Sequence, residues 1–254
     1  GKAASMHKMG IADHMGDARL MFKYSSKFTP KQFKVFDGYF RPRNESFIAA
    51  KLEGKERTQW HYQRYIKNYL SCVKAVDENV GRLLDYLDKS GLAENTVVIY
   101  SSDQGWYLGE HGWYDKRWMF EESLRMPFLI RWPGVIKPGS RPTELIQNID
   151  YAPTFLEMAG LPIPDEIQGE SLLPVFTGKA RGWRTSIYYS YYEFGEHAVP
   201  PHFGVRTRTH KLIHFPLTNE WNLFDLASDP GEMRSVYEDP QYRKVRQSLT
   251  SEYD

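Results

Sequence analysis

The chain has 254 residues, enough for one large domain or a domain with a lobe. Its 41% hydrophobic and 15% aromatic content supports a packed core and excludes disorder for most of its length. Lys plus Arg (33) balances Asp plus Glu (32), and the formal charge of +1 gives no reason to expect nucleic acid or a membrane surface as partner. A single cysteine, Cys72, rules out an internal disulfide and a zinc site built on several thiolates, and no apolar run approaches the roughly 18 residues that would span a bilayer.

Residues 1–60 carry the weakest pattern. Helical patches are expected over Ala12–Phe22 and Pro30–Val35, then a long surface excursion through Pro42, Asn44 and Gly54. The opening has neither the apolar centre of a signal peptide nor a domain-opening strand, so the chain reads as a piece of something longer. A clear helix comes next. Ile66, Tyr69, Leu70, Val73, Val76, Val80, Leu83, Leu84 and Leu87 recur at three- and four-residue steps, and Gly91 sits where a left-handed cap is wanted. Cys72 falls on this stripe, where a buried structural thiol is expected. Val97–Tyr100 reads as a buried parallel strand, making helix and strand half of a βαβ unit. Further strands are expected over Pro127–Arg131 and near Glu144–Ile149. Asp150 should cap a helix over Tyr151–Ala159, and residues 170–182 read as a linker. After residue 183 come four short strands, Ile187–Tyr192, Phe203–Arg208, Lys211–Phe215 and Trp221–Leu226, and a terminal helix over Pro240–Leu249. The expected organisation is an α/β part over 1–182 and a small antiparallel sheet with a C-terminal helix over 183–254.

Polar chemistry concentrates just after Tyr100. In open α/β sheets ligands bind beyond the carboxyl ends of strands, and the run from Ser101 to Arg117 leaves such an end with three glycines that permit close backbone approach. Asp103 and Gln104 are adjacent hard-oxygen donors, better suited to Ca²⁺ or Mg²⁺ than to a soft metal. Lys116 and Arg117 can hold an anion, one as a point charge and one as a fork. A cation with fixed positive side chains suits transfer of a sulfuryl or phosphoryl group. An Asp-Gln-Gly turn and a Lys-Arg pair also occur on ordinary solvated loops, and spacing alone leaves both readings open.

Asp103-Gln104-Gly105, Leu108-Gly109-Glu110-His111-Gly112 and Asp115-Lys116-Arg117 resemble the C-terminal half of a type I sulfatase, of the alkaline-phosphatase-like superfamily. Arg125–Ile130 with Trp132-Pro133-Gly134, Asn148–Thr154, Gln168–Leu172, Gly204–Thr207 with Lys211–Ile213, Asn222–Leu226 and Asp229–Glu232 resemble later segments of that family in the same order. The likeness implies a partial alkaline-phosphatase-like α/β sheet followed by the antiparallel subdomain. It implies that Asp103 and Gln104 bind Ca²⁺, and that Lys116 holds the sulfate and aids departure of the alcohol. His111, in the same loop, joins Lys116 as a catalytic candidate. Arg117 and Trp106, with His197, His202 and Arg206 as in glucosamine-6-sulfatase-like bacterial members, are the substrate-binding candidates. The substrate implied is a sulfated carbohydrate, and the place implied is an exported, periplasmic one.

The family's nucleophile is a formylglycine made from Cys or Ser in a motif with Pro two residues on and Arg four residues on. Cys72 lies in Ser71-Cys72-Val73-Lys74-Ala75, without either, and no serine version occurs. The family's early Asp-Asp pair is also missing, and Asp13 and Asp17 are too separated to replace it. The resemblance therefore implies that an N-terminal half of the same enzyme is the partner of this chain, which is expected to be inactive alone and to hold calcium poorly. Two other functions stay open: a phosphodiesterase or phosphomonoesterase of the same superfamily, and a non-catalytic module binding a glycan or partner. A histidine in place of Gln104 would suit the transition metals of the phosphoesterases better.

Overall fold

Thr29 opens the first helix by a reciprocal cap. Its hydroxyl accepts from Gln32 N while the Gln32 amide oxygen accepts from Thr29 N, and Pro30 occupies a first-turn position that needs no donor. The computed structural model describes residues 27–193 and 199–254. The expected helix over Ala12–Phe22, with Asp13 and Asp17, and the candidate His197 lie outside them. Helix α1 (Pro30–Ala50) is longer than expected and replaces the surface excursion, running through Pro42. Tertiary packing outweighs the proline, since Phe28, Phe36 and Phe40 pack in series and Phe47 stacks on Trp60 at 3.8 Å between ring centroids.

Helix α2 (Gly54–Lys89) ends as the sequence indicates, with Gly91 at φ +72° and Leu92 N donating to Leu87 O. Its apolar stripe is covered only in part: Leu87 is buried and Ile66, Tyr69, Val80 and Leu84 are half-buried. Leu70, Val73, Val76 and Leu83 are exposed among the described residues, and so is Cys72, against the expectation of a buried thiol. Periodicity marks a face made for cover but does not supply the cover.

Strand β1 (Val98–Ser101), strands β2 (Tyr107–Leu108) and β3 (Tyr114–Asp115), helix α3 (Glu121–Leu124) and strand β4 (Phe128–Arg131) come next. Strand β1 pairs with β4 antiparallel, Val98 opposite Arg131 and Ser101 opposite Phe128, so the expected parallel strand is corrected. An apolar run reports that a strand wants covering, not which way its neighbour runs. No strand forms over 144–149. Asn148–Asp150 makes a single tight turn before α4 (Tyr151–Met158) instead. The cause is Asp150, fully buried and not a cap of α4. Its carboxylate accepts from Gln147 N, Glu170 N and both ends of the Arg184 guanidinium, folding the chain back where a strand would run on. The 170–182 segment contains helix α5 (Leu173–Phe176), which buries Leu172 and Val175.

Strands β5 (Ser186–Tyr191), β6 (His202–Thr207), β7 (His210–Phe215) and β8 (Glu220–Asp225) form one antiparallel sheet in chain order, and α6 (Arg243–Tyr253) closes the chain. The pleat sorts the two faces. Val205, Leu212 and Leu223 meet Leu249 of α6 on one side. Tyr189, Tyr191, His202, Gly204, Arg206, Lys211 and Phe215 turn to the other, and Trp118–Glu121 lies against it.

The described residues form two compact units. One comprises residues up to Leu83 together with Trp106–Asp115, and the other comprises Leu84–Gly105 with Lys116–Asp254. No described helix is long and apolar enough to cross a membrane.

Candidate functional site

The loop after β1 returns at once to α3. Gly105 N donates to Ser123 O at 2.9 Å, and a side chain at Gly105 would put its Cβ 2.1 Å from Glu122 O. Only glycine allows this approach. Gly105→Ala is expected to cost about 2 kcal/mol by forcing the segments apart, read by urea unfolding.

Ser123, 1% exposed, is the hub of the loop. Gln104 Nε2 donates to Ser123 O at 2.7 Å and to Ser123 Oγ at 2.9 Å. Both amide hydrogens are thereby used, which orients the amide and leaves Oε1 as the atom it can offer a ligand. The same Ser123 hydroxyl accepts from Arg117 N at 3.0 Å. One buried serine thus ties the Gln104 side-chain amide to the Arg117 backbone. Sequence reading missed Ser123, because a lone serine six residues beyond a basic pair carries no signal until the chain folds back.

The second turn is held in an unusual backbone. Asp115 and Arg117 have φ of +74° and +96°, costly for side chains with a Cβ and tolerated where surroundings over-determine them. Tyr189 Oη donates to Arg117 O at 2.7 Å, and burial pushes its phenol up to about 12, so it stays a donor. Lys116 and Arg117 are half-buried and Asp103 is exposed.

Trp106 and His111 belong to the first unit. There Trp106 Nε1 donates to Tyr65 Oη, and His111, whose backbone has φ +56°, sets its ring against Tyr107 and Trp113. Arg206 makes a bidentate pair with Glu121, at 2.9 Å for the Nη2 contact. His202 is fully buried among Trp118, Tyr189, Tyr191 and Phe215, and both ring nitrogens have protein partners.

Two of these groups set an acid limit. Burial pushes His202 from 6.5 down to about 4, so its contribution to stability is complete above pH 6.5 and is lost as pH falls toward 4. Burial would raise Glu121, but its bonds to Arg206 and Lys211 outweigh it and hold the carboxyl at about 2; that contribution fades between pH 4.5 and 2. Glu232, pushed up by burial, works in the opposite direction. The unfolding free energy is therefore expected to drop by about 3 kcal/mol between pH 7 and 4 through His202. Urea titrations across that range read the drop, and His202→Gln should flatten it.

Comparison with known proteins agrees with the order of motifs. Residues 11–161 match the family described as Sulfatase, and residues 109–254 match the family described as N-sulphoglucosamine sulphohydrolase, C-terminal. The chain belongs to the sulfatase family. This sulfatase chain is 46% identical over 219 residues to N-acetylglucosamine-6-O-sulfatase of Bacteroides thetaiotaomicron, covering 84% of the chain and 39% of the relative. It is 30% identical to human N-acetylglucosamine-6-sulfatase, over 68% of the chain and 34% of that protein. A solved structure of BT4656 with its substrate D-glucosamine-2-N,6-O-disulfate superposes with a TM-score of 0.92 and 40% identity, covering the whole chain and 56% of that structure. The architecture is accordingly alkaline-phosphatase-like. The chain spans about two fifths of the curated relatives it matches. Members of this family are generally metal-dependent.

Proposed function

We propose that this chain supplies the cation-binding turn and the anion-binding lysine of a sulfuric ester hydrolase acting on sulfated carbohydrate. The single observation carrying the reading is Ser123, whose hydroxyl joins the Gln104 amide to the Lys116-Arg117 turn. An oxygen-donor pair and a basic pair at one spot match what a sulfate ester and its counter-cation require. Asp103 and Gln104 Oε1 would hold Ca²⁺. Both are hard oxygen donors, and the fixed amide presents its oxygen, so the residues fit. Among the described residues no three His, Cys, Asp or Glu gather. Bound calcium supplies electrostatic stabilisation of the sulfate oxygens.

Lys116 then holds a sulfate oxygen and supports charge building on the departing sugar oxygen. Arg117, whose backbone is fixed at both N–H and C=O, offers a second cation. His202 and Arg206, each already engaged within the protein, support the site rather than touch the sugar. The 254 residues contain no Cys or Ser followed by Pro and Arg at the family spacing, so turnover is expected of the full-length protein rather than of this chain alone. An exported, periplasmic place accords with this reading.

The test is sulfate release from N-acetylglucosamine-6-sulfate by the full-length protein. Chelator should abolish release and Ca²⁺ restore it, and Asp103→Ala should raise the Ca²⁺ required about a hundredfold or more. Indifference to chelator and to Asp103→Ala would overturn the metal assignment. Hydrolysis of phosphate monoesters or diesters without sulfate release would overturn the substrate assignment.

A further inference from the structure

The segment carrying Lys116 and Arg117 is gripped, residue after residue, by the face of the C-terminal sheet opposite α6. Tyr189 of β5 takes Arg117 O. Trp118 lies on the His202 ring, with centroids 5.5 Å apart and planes at 29°. Met119 N donates to His202 Nε2 at 3.1 Å. Gly204 of β6 leaves room for the Met119 thioether, which a Cβ there would approach to 2.5 Å. Glu121 is held by Arg206 and Lys211.

His202 stands out in this row because its burial needs a reason. It is enclosed by four aromatic rings, where a phenylalanine would suit the surroundings better. What an apolar ring could not do is accept the Met119 N–H, which is itself fully buried and costly to leave unpaired. The tautomer is set by the partners. Pro200 O, 2.9 Å from Nδ1, can only accept, so Nδ1 carries the proton; Met119 N–H can only donate, so Nε2 carries the lone pair. Burial keeps the ring neutral, although the Pro200 and Arg117 backbones would favour its charged form.

We propose that neutral His202 is a positioning residue: by accepting the Met119 amide it locks the left-handed Arg117 backbone and so aims Lys116 and Arg117 at the bound anion. This rests on Lys116 being the anion-binding lysine. Left-handed backbone at Asp115 and Arg117 persists only while the neighbouring bonds over-determine it. Those bonds are Ser123 on Arg117 N, Tyr189 on Arg117 O and His202 on Met119 N. Losing one lets the turn relax toward ordinary φ values and swings the cations away.

The test uses the full-length protein with N-acetylglucosamine-6-sulfate and 4-nitrophenyl sulfate as substrates. His202→Phe keeps the cage and removes the acceptor. His202→Gln removes the ring and keeps an acceptor. Tyr189→Phe deletes one hydroxyl and serves if His202→Phe does not fold. His202→Phe and Tyr189→Phe are each expected to lower kcat/KM about tenfold or more, mostly in kcat, with His202→Gln recovering part of the loss. Hydrogen exchange in the peptide spanning 116–124 should quicken about tenfold in the two phenylalanine variants while exchange in α6 stays unchanged. Unchanged exchange, or kcat/KM within about twofold of the parent while Lys116→Ala abolishes turnover, would overturn the inference. Retention of turnover by Lys116→Ala would instead overturn the role of Lys116, and the exchange rates would then decide whether the backbone lock stands.

Discussion

Lys116→Ala in the full-length protein is expected to lower kcat/KM for a sulfated sugar by about a hundred- to a thousandfold, or about 3–4 kcal/mol of transition-state stabilisation. The side chain is half-buried, so under the proposed role its charge would act on a sulfate oxygen through a medium less polarisable than water and would be worth more than that of a surface lysine. It sits between two left-handed residues, Asp115 and Arg117. Lys116→Arg should restore only part of the activity. The guanidinium keeps the charge, but its planar fork needs a different approach from a compact ammonium. The melting temperature of either variant is the control that separates lost folding from lost chemistry. Steady-state kinetics with a melting control read the result, and a loss below about tenfold would remove Lys116 from the catalytic machinery.

The second large effect concerns stability. Lys211 is fully buried between two carboxylates, with Nζ 2.9 Å from Glu121 Oε1 and 2.6 Å from Glu232 Oε1. Glu232 in turn accepts from Glu121 N at 2.7 Å, which anchors the start of α3. Lys211→Ala removes the cation that bridges these two acids, leaving Arg206 on Glu121. Breaking one partner of a buried ion cluster leaves uncompensated charge out of water, and the expected cost is about 3–5 kcal/mol. Lys211→Met combined with Glu232→Gln should recover much of it, because the remaining charge, Glu121, keeps its Arg206 fork. Urea unfolding of parent, single and double variants makes the comparison. A single-variant loss under about 1 kcal/mol would show that the carboxylates reprotonate or reach water instead.

Much of the fold was legible because it is local. The α2 stripe, the Gly91 cap, the β-branched run of β1 and the four alternating strands from Ser186 to Asp225 are written in neighbouring residues, and the structure forms each of them. The misreadings share one cause. Strand direction at β1, the turn in place of a strand before α4, and the exposure of Cys72 all depend on partners far along the chain or on what covers a face. Asp150 shows it best. Its place before a helix read as a cap, yet Arg184, 34 residues on, and Glu170 claim its carboxylate.

The candidate site divides the same way. By themselves, the ordered motifs from Asp103 to Glu232 determined the family, and residue type alone determined that Asp103 and Gln104 offer hard oxygens and that Lys116 and Arg117 offer cations. Only the tertiary structure joins the Gln104 amide to the Arg117 backbone, through Ser123. Ser123, the Tyr189 hydroxyl and the His202 lone pair hold the backbone of that segment, and no spacing announces them. The physical reason is that a side chain's chemistry belongs to the residue, whereas the direction of a hydrogen bond and the dryness around it belong to the segments that close over it.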